Sequence, residues 1–354
     1  MKMKKTKKLR VGINGFGRIG RAIFRINEEK NFFDVVAIND INPDNHNLAY
    51  LLKYDTTYGR FSGSVKDNQH HLIVNNKKIG IHHCENISDV PWDEYGIDVL
   101  VESSGVKSNL GFIKELKDMV KNVVITYDPG VMDQTIVFGC NEKELNPKKN
   151  FLISSSICDS IALSPIVKLL ETKYGISHGY LVTLHPWLSY QNLLDGPSKS
   201  WSQPGDVFSH YALGRSSIMN IIPKSTSAVT AASKLFKNLE KKLTSFSFRI
   251  PTSIVSSAVL IAYLKKDLKQ KALIDAFTQF EKKQKHKVFK NTTEPLTSVD
   301  YAGEEFSAII DHRWTKVNQK RLIKLVYWYD NEWGYSSRTV DLIHSIGKFY
   351  KKQK

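Results

Sequence analysis

Short apolar runs and helical stretches alternate along the first part of the chain. Leu9–Asn14 is mostly apolar and enters Gly15-Phe16-Gly17-Arg18-Ile19-Gly20, and a helical stretch follows from Arg21 to about Lys30. Val35–Asn39 comes next and ends on Asp40, and Val99–Glu102, Val123–Thr126, Thr135–Gly139 and Phe151–Ser154 continue the series. Runs without alternation suit strands covered on both faces. Such strands, separated by helices or loops, predict a parallel, doubly wound sheet.

The pattern changes near Ser154–Cys158. Beyond it, Leu181–Leu184, Ser245–Arg249, Ser256–Tyr263, Phe306–Asp311 and Arg321–Tyr329 alternate or run apolar at strand length. Helical periodicity covers Ile161–Tyr174, Ala228–Leu243 and Leu268–Gln284. Long strands with few helices predict a mostly antiparallel sheet covered on one side. The expected fold class is α/β: an N-terminal doubly wound, Rossmann-type domain over residues 1–157, then an α+β domain with a mostly antiparallel sheet over 158–330.

Gly15-x-Gly17-x-x-Gly20 matches the dinucleotide fingerprint between a strand and a helix. Each glycine has a mechanical reason: a tight turn, close approach of backbone to a pyrophosphate, and close packing of helix on strand. The helix N-terminus adds N–H groups and positive potential for phosphates. Asp40 lies at the end of the second strand, where a carboxylate accepts from an adenosine ribose and repels a 2′-phosphate. NAD is therefore expected rather than NADP.

Composition adds limits. The chain has 354 residues, enough for two domains with cores of their own, and its 41% hydrophobic fraction excludes wholesale disorder. No apolar run approaches the ~20 residues that span a bilayer, and the basic start lacks an apolar signal region. A cytoplasmic location and no membrane partner are expected. Lys plus Arg total 51 against 35 Asp plus Glu, a net charge of +16. These cations are scattered and Lys-rich, which reads as a solvated surface rather than a nucleic-acid footprint. The three cysteines, Cys84, Cys140 and Cys158, are widely spaced. They suggest neither a disulfide framework nor a cysteine-based metal site.

Cys158 falls at the start of a helix expected from about Ser160, where the dipole favours a thiolate. His185 follows the strand Leu181–Leu184 and is the natural base for it. From spacing alone, most such pairs are structural.

Several ordered stretches now converge. Val11–Arg21 (VGINGFGRIGR), Val35–Asp40 (VVAIND), Lys53–Phe61 (KYDTTYGRF), Val101–Val106 (VESSGV), Asp195–Ser198 (DGPS), Asn220–Thr226 (NIIPKST), Phe248–Thr252 (FRIPT) and Trp328–Ser336 (WYDNEWGYS) resemble phosphorylating glyceraldehyde-3-phosphate dehydrogenases. The resemblance runs from about residue 8 to 350. It implies a C-terminal helix, 331–354, that completes the first domain, and a homotetramer acting on a small phosphorylated aldehyde. It also implies Cys158 as nucleophile and His185 as base. The implied cofactor residues are Asn14, Gly15, Phe16, Gly17, Arg18, Ile19, Gly20, Asp40, Ser103, Ser104, Gly105, Thr126, Asn331 and Tyr335. Asp159, Thr226 and Arg249 fall at the substrate-anion positions.

The departures sit at the chemistry. The family's S-N-A-S-C-T-T-N-C is here Ser154-Ser155-Ser156-Ile157-Cys158-Asp159-Ser160-Ile161-Ala162. A phosphate-donating threonine has become Asp159, whose charge repels a phosphoryl group and opposes ionisation of Cys158. Two further threonines are Leu188 and Tyr190, an arginine is Leu213, and a glycine is Ser227. Between Asp195 and Arg215 the chain is extended, with Trp201, Pro204, Gly205, Phe208, His210 and Tyr211. That extension either reshapes the substrate mouth or covers a subunit interface. Two functions follow as expectations. One is an NAD-dependent aldehyde dehydrogenase with a thioester on Cys158 and a changed substrate or acyl acceptor. The other is a catalytically impaired NAD-binding relative with a regulatory or RNA-binding role.

Overall fold

A computed structural model describes residues 8–198 and 210–352. Trp201, Pro204, Gly205 and Phe208 of the extension lie outside the described residues. The chain divides into two compact units. The first draws on Met1–Gln134, Leu145–Ser155 and Thr339–Lys354, the second on Thr135–Glu144 and Ser156–Arg338.

The first unit is built on a nine-stranded sheet whose middle is parallel. Arg10–Asn14 lies between Asp34–Asn39 and Val99–Glu102, with Ile13 paired to Ile38 on one side and Val101 on the other. Both faces are covered, which is why Val11, Ile13, Val99, Leu100 and Val101 are all 0% exposed. The helix Arg18–Lys30 begins three residues earlier than its periodicity suggests and ends at Asn31, whose left-handed backbone (φ 54°) closes the last turn. An antiparallel edge, Val65–Asp67, His71–Val74 and Lys77–His82, was not foreseen. Its hairpin turns on Asn75-Asn76, both at positive φ, as a two-residue primed turn requires.

The second unit carries an eight-stranded sheet, mostly antiparallel as expected. Two pairs run parallel: Ile176–Pro186 with Leu243–Ile250, and Phe289–Thr292 with Ala308–Asp311. One face is covered by the helix Cys158–Lys173, whose Ala162, Leu163, Ile166, Val167 and Leu170 are 0% exposed. The alternation shows at Tyr180 and Leu181, 63% and 0% exposed. Tyr180, Phe246 and Ile261 thus face away from the core.

Two element assignments need correction. Thr135–Gly139 is not a strand beyond Gln134–Thr135. Its buried Ile136, Val137 and Phe138 sit in a turn, where Asn141 accepts from the Val137 N–H (2.9 Å) and donates to the Thr135 carbonyl (2.9 Å). A side-chain amide there replaces the ladder. The helix expected over Ala228–Leu243 stops at Ser233; Asn238 then turns left-handed (φ 65°) and Leu243 joins a strand.

Candidate active site

The glycine-rich turn of the first unit is built as its mechanics demand. Gly15 has φ +85°, and a Cβ there would lie 2.5 Å from the Ser104 backbone. A Cβ on Gly20 would lie 2.2 Å from the Gly15 carbonyl oxygen. Gly17 differs: it is exposed, and among the described residues nothing would lie within 4 Å of a Cβ there and no side chain caps the helix it begins. An open backbone at an uncapped helix N-terminus is the cradle a pyrophosphate needs. Asp40 is oriented beside it, accepting from the Phe16 N–H (2.7 Å) and the Asn42 N–H (2.9 Å). The residues fit a dinucleotide.

Other predicted cofactor residues support the turn. Ser103 Oγ donates to the Gly15 carbonyl (2.7 Å), and Gly105 takes positive φ. Thr126 Oγ1 donates to the Glu102 carbonyl (3.1 Å). Glu102, missed in the sequence, is fully buried and accepts from Asn14 Nδ2 (2.5 Å), the Ser104 N–H (2.9 Å) and Asn109 Nδ2 (3.2 Å). Burial pushes its carboxyl up to about 7 against these donors. Asn14 also accepts from Asn39 Nδ2 (2.7 Å), so its side chain is engaged within the sheet. Arg18 pairs with Asp55 at 2.5 Å and lies over the Tyr58 ring. Ile19 is half-buried in the first helical turn.

In the second unit, strand register assembles the candidate reaction centre. Ile176–Pro186 and Leu243–Ile250 pair so that His185 is opposite Arg249 and Thr183 opposite Ser247. Ile222–Lys224 adds Lys224 beside Ser247 on the outer side. The covering helix begins at Cys158, two residues before the expected start, after an extended Ile157. This places Cys158 Sγ 3.8 Å from His185 Nε2. Both line a cavity of about 300 Å³ with Asp159, Thr226, Lys224 and Arg249. A larger cleft of about 650 Å³, in the first unit, is lined by Lys117, Lys121, Lys148 and Tyr350 and has no thiol, aliphatic hydroxyl or imidazole among its described lining residues.

Asp159 is 6% exposed and held from two sides. Tyr329 OH donates to Oδ1 at 2.7 Å, Thr226 Oγ1 donates to Oδ2 at 3.0 Å, and Cys158 Sγ lies 3.5 Å from Oδ1. Burial, then the Asp159 charge, pushes the Cys158 thiol well up. Burial and the Arg249 guanidinium push His185 down to about 4. The resting pair is therefore a neutral thiol beside a neutral imidazole.

His185 Nδ1 lies 2.8 Å from the Pro186 carbonyl and against Arg249 Nη1, which itself donates to that carbonyl (3.0 Å). A proton on Nδ1 goes to Pro186 and leaves Nε2 bare toward the thiol. A bare Nδ1 accepts from Arg249 and turns the N–H on Nε2 toward sulfur. Both tautomers have partners, which suits a group that takes and returns a proton.

One donor atom from each of Cys158, Asp159 and His185 lies within 4.8 Å of the others. Cysteine spacing alone does not reveal such a mixed set. The cations of Arg249 and Lys224 on the same cavity oppose a divalent ion, and we read the trio as acid–base and nucleophilic groups.

Of the remaining predicted residues, Tyr335 OH donates to the Ser156 carbonyl (3.0 Å), just before Cys158. Asn331 is buried, with no hydrogen-bond partner for its Oδ1 among the described residues. Tyr190 OH accepts from Arg249 Nη2 at 3.4 Å. Leu188 and Leu213 are not on the cavity wall, and Arg215 pairs instead with Asp195 at 2.7 Å. Tyr329 and Lys224 were not singled out, although both lie in the quoted stretches WYDNEWGYS and NIIPKST.

Residues 9–110 match the family model described as glyceraldehyde 3-phosphate dehydrogenase, NAD binding domain. Residues 157–331 match glyceraldehyde 3-phosphate dehydrogenase, C-terminal domain. The chain belongs to the glyceraldehyde-3-phosphate dehydrogenase family. It is 40% identical to the cytosolic glyceraldehyde-3-phosphate dehydrogenase of Gracilaria gracilis over 347 residues, covering 96% of this chain and 98% of that one. It is 36% identical to glyceraldehyde-3-phosphate dehydrogenase 2 of Bacillus subtilis (strain 168), covering 96% and 97%. The Cochliobolus heterostrophus enzyme is 37% identical, covering 96% and 98%. This glyceraldehyde-3-phosphate dehydrogenase relative is accordingly an NAD-dependent oxidoreductase with NAD as its cofactor.

Proposed function

We propose that the protein oxidises a small phosphorylated aldehyde at Cys158, with His185 as the base. The observation that carries this is the Sγ–Nε2 approach of 3.8 Å on a cavity shared with Arg249 and Lys224. Addition of sulfur to the carbonyl carbon forms a thiohemiacetal, and His185 relays the thiol proton to the new hydroxyl. His185 Nε2 then takes that hydroxyl proton as the carbonyl re-forms, leaving a thioester. NAD, when bound, accepts the hydride that leaves the carbon.

Gly15, Gly17, Gly20 and the turn at Ser103–Gly105 hold the dinucleotide in this reading. Asp40 takes the ribose, Asn331 orients the nicotinamide amide, and Tyr335 steadies the segment before Cys158. Residues 1–157 with the C-terminal helix form the NAD-binding domain, and 158–330 the catalytic domain. Arg249 and Lys224 supply positive charge for the substrate phosphate, in keeping with the names of the relatives. The outward Tyr180, Phe246 and Ile261 support a homotetramer. The cytosolic designation of the Gracilaria relative supports a cytoplasmic setting, and no helix among the described residues is long and apolar enough to cross a membrane.

The test mixes protein, NAD and an aldehyde panel that includes glyceraldehyde 3-phosphate. NADH should form and should be abolished in Cys158→Ser. No NADH from any aldehyde refutes the proposal and leaves the NAD-binding, non-enzymatic reading.

A further inference from the structure

We infer that water, rather than inorganic phosphate, takes the acyl group from Cys158, and that Asp159 serves this step. The inference rests on the thioester reading above and extends it to the second half of the reaction. Among the described residues, Asp159 is the only carboxylate on the cavity wall that also carries Cys158, His185, Lys224 and Arg249. It is held in place by Tyr329 on one oxygen and Thr226 on the other. Both oxygens accept, as an ionised carboxylate does.

Two consequences follow from that placement. First, the Thr226 hydroxyl, which an incoming anion would need, is already donating to the chain's own anion. Lys224, on the same wall, likewise feels the Asp159 charge. A phosphate dianion approaching the acyl carbon would meet the Asp159 charge across low-dielectric surroundings. Second, a neutral nucleophile meets no such repulsion and finds a proton acceptor at hand. Oδ1 lies 3.5 Å from Sγ, so a water attacking the carbon bonded to that sulfur is within reach of the carboxylate.

The step balances without a further reagent. The water oxygen bonds to the acyl carbon, and the C–S bond breaks with its electron pair going to sulfur. One water proton passes to Asp159 and on to the departing sulfur. The products are a carboxylic acid and the restored Cys158 thiol.

The test uses the full chain with NAD and glyceraldehyde 3-phosphate, with unphosphorylated glyceraldehyde alongside, in buffer with and without inorganic phosphate. Steady NADH formation should proceed without phosphate and change by less than about twofold on its addition, and oxygen from labelled water should appear in the acid. Asp159→Asn, which keeps the side-chain shape, should retain the first stoichiometric burst of NADH but lose about 10²-fold in steady-state turnover. Asp159→Thr should lose the same turnover and regain part of it when phosphate is added. A burst in wild type followed by turnover that appears only with phosphate overturns this inference and leaves Cys158 chemistry intact. Loss of burst and turnover together in folded Asp159→Asn also overturns it. Absence of any NADH from wild type, with or without phosphate, instead removes the parent reading.

Discussion

Removing one oxygen from Tyr329 isolates the interaction that holds Asp159. In Tyr329→Phe the ring still fills its fully packed site, so no cavity opens and the lost group is the phenol donor to Oδ1 at 2.7 Å. Tyr329 is 2% exposed and Asp159 6%, so water does not replace the bond. A hydrogen bond to a charged, buried partner contributes ~1.5–3 kcal/mol, and Tyr329→Phe should destabilise the second unit by that amount. In an Asp159→Asn background the partner is neutral, and the same change should cost only ~0.5–1.5 kcal/mol. The double-mutant cycle should therefore return a coupling of about 1 kcal/mol or more. Urea unfolding at constant pH measures it, with Trp328, stacked on Tyr301 in the same unit, as a local fluorescence reporter. Equal m-values are required for the comparison. A cost below ~0.5 kcal/mol in the wild-type background, or the same cost in both, would refute the account of Asp159 as a buried carboxylate held by this phenol.

Two glycines should separate fold from ligand. Gly20→Ala drives a Cβ against the Gly15 carbonyl at 2.2 Å and should cost ~1–3 kcal/mol of stability, whereas Gly17→Ala should leave unfolding unchanged and weaken NAD at least about tenfold, by fluorescence titration. Identical behaviour of the two variants would contradict the cradle. Because burial and Arg249 hold His185 near 4, the base stays neutral well into acid, and the acidic limb of kcat/KM assigned to it should fall near pH 4 rather than 6.5. Arg249→Gln should move that limb upward; a limb fixed in both proteins would exclude His185 as its source. The linked stability has the same origin: the unfolded imidazole protonates below about 6.5 and the folded one only near 4, so stability from this group is present above 6.5 and lost as pH falls through 4. Urea midpoints across that range, compared with a His185→Gln variant, measure it.

Much of this molecule is written in local spacing. The glycine fingerprint, the buried strands that follow it and Asp40 at the end of the second strand could be placed because each depends on neighbours a few residues away. Cys158 at a helix start was legible for the same reason, although the helix begins two residues earlier than expected, directly after the extended Ile157. Where local chemistry had two solutions, periodicity misled: Asn141 satisfied the backbone of the apolar run at 135–139, and an apparently continuous helix stopped at Ser233, ahead of the left-handed Asn238.

The meaning of Asp159 required distant partners. Its replacement of a hydroxyl was visible in the sequence, but Tyr329 is 170 residues away and Thr226 67, and no spacing rule links them. His185 and Arg249 are 64 residues apart and meet because two parallel strands pair in one register. Sequence periodicity assigns a side chain to a face; only strand pairing and the helix laid across it set which faces converge. The residue types thus announced a thiol, a base and an intruding acid. The assembled sheet decided that the acid would be buried, held from both sides and aimed at the sulfur.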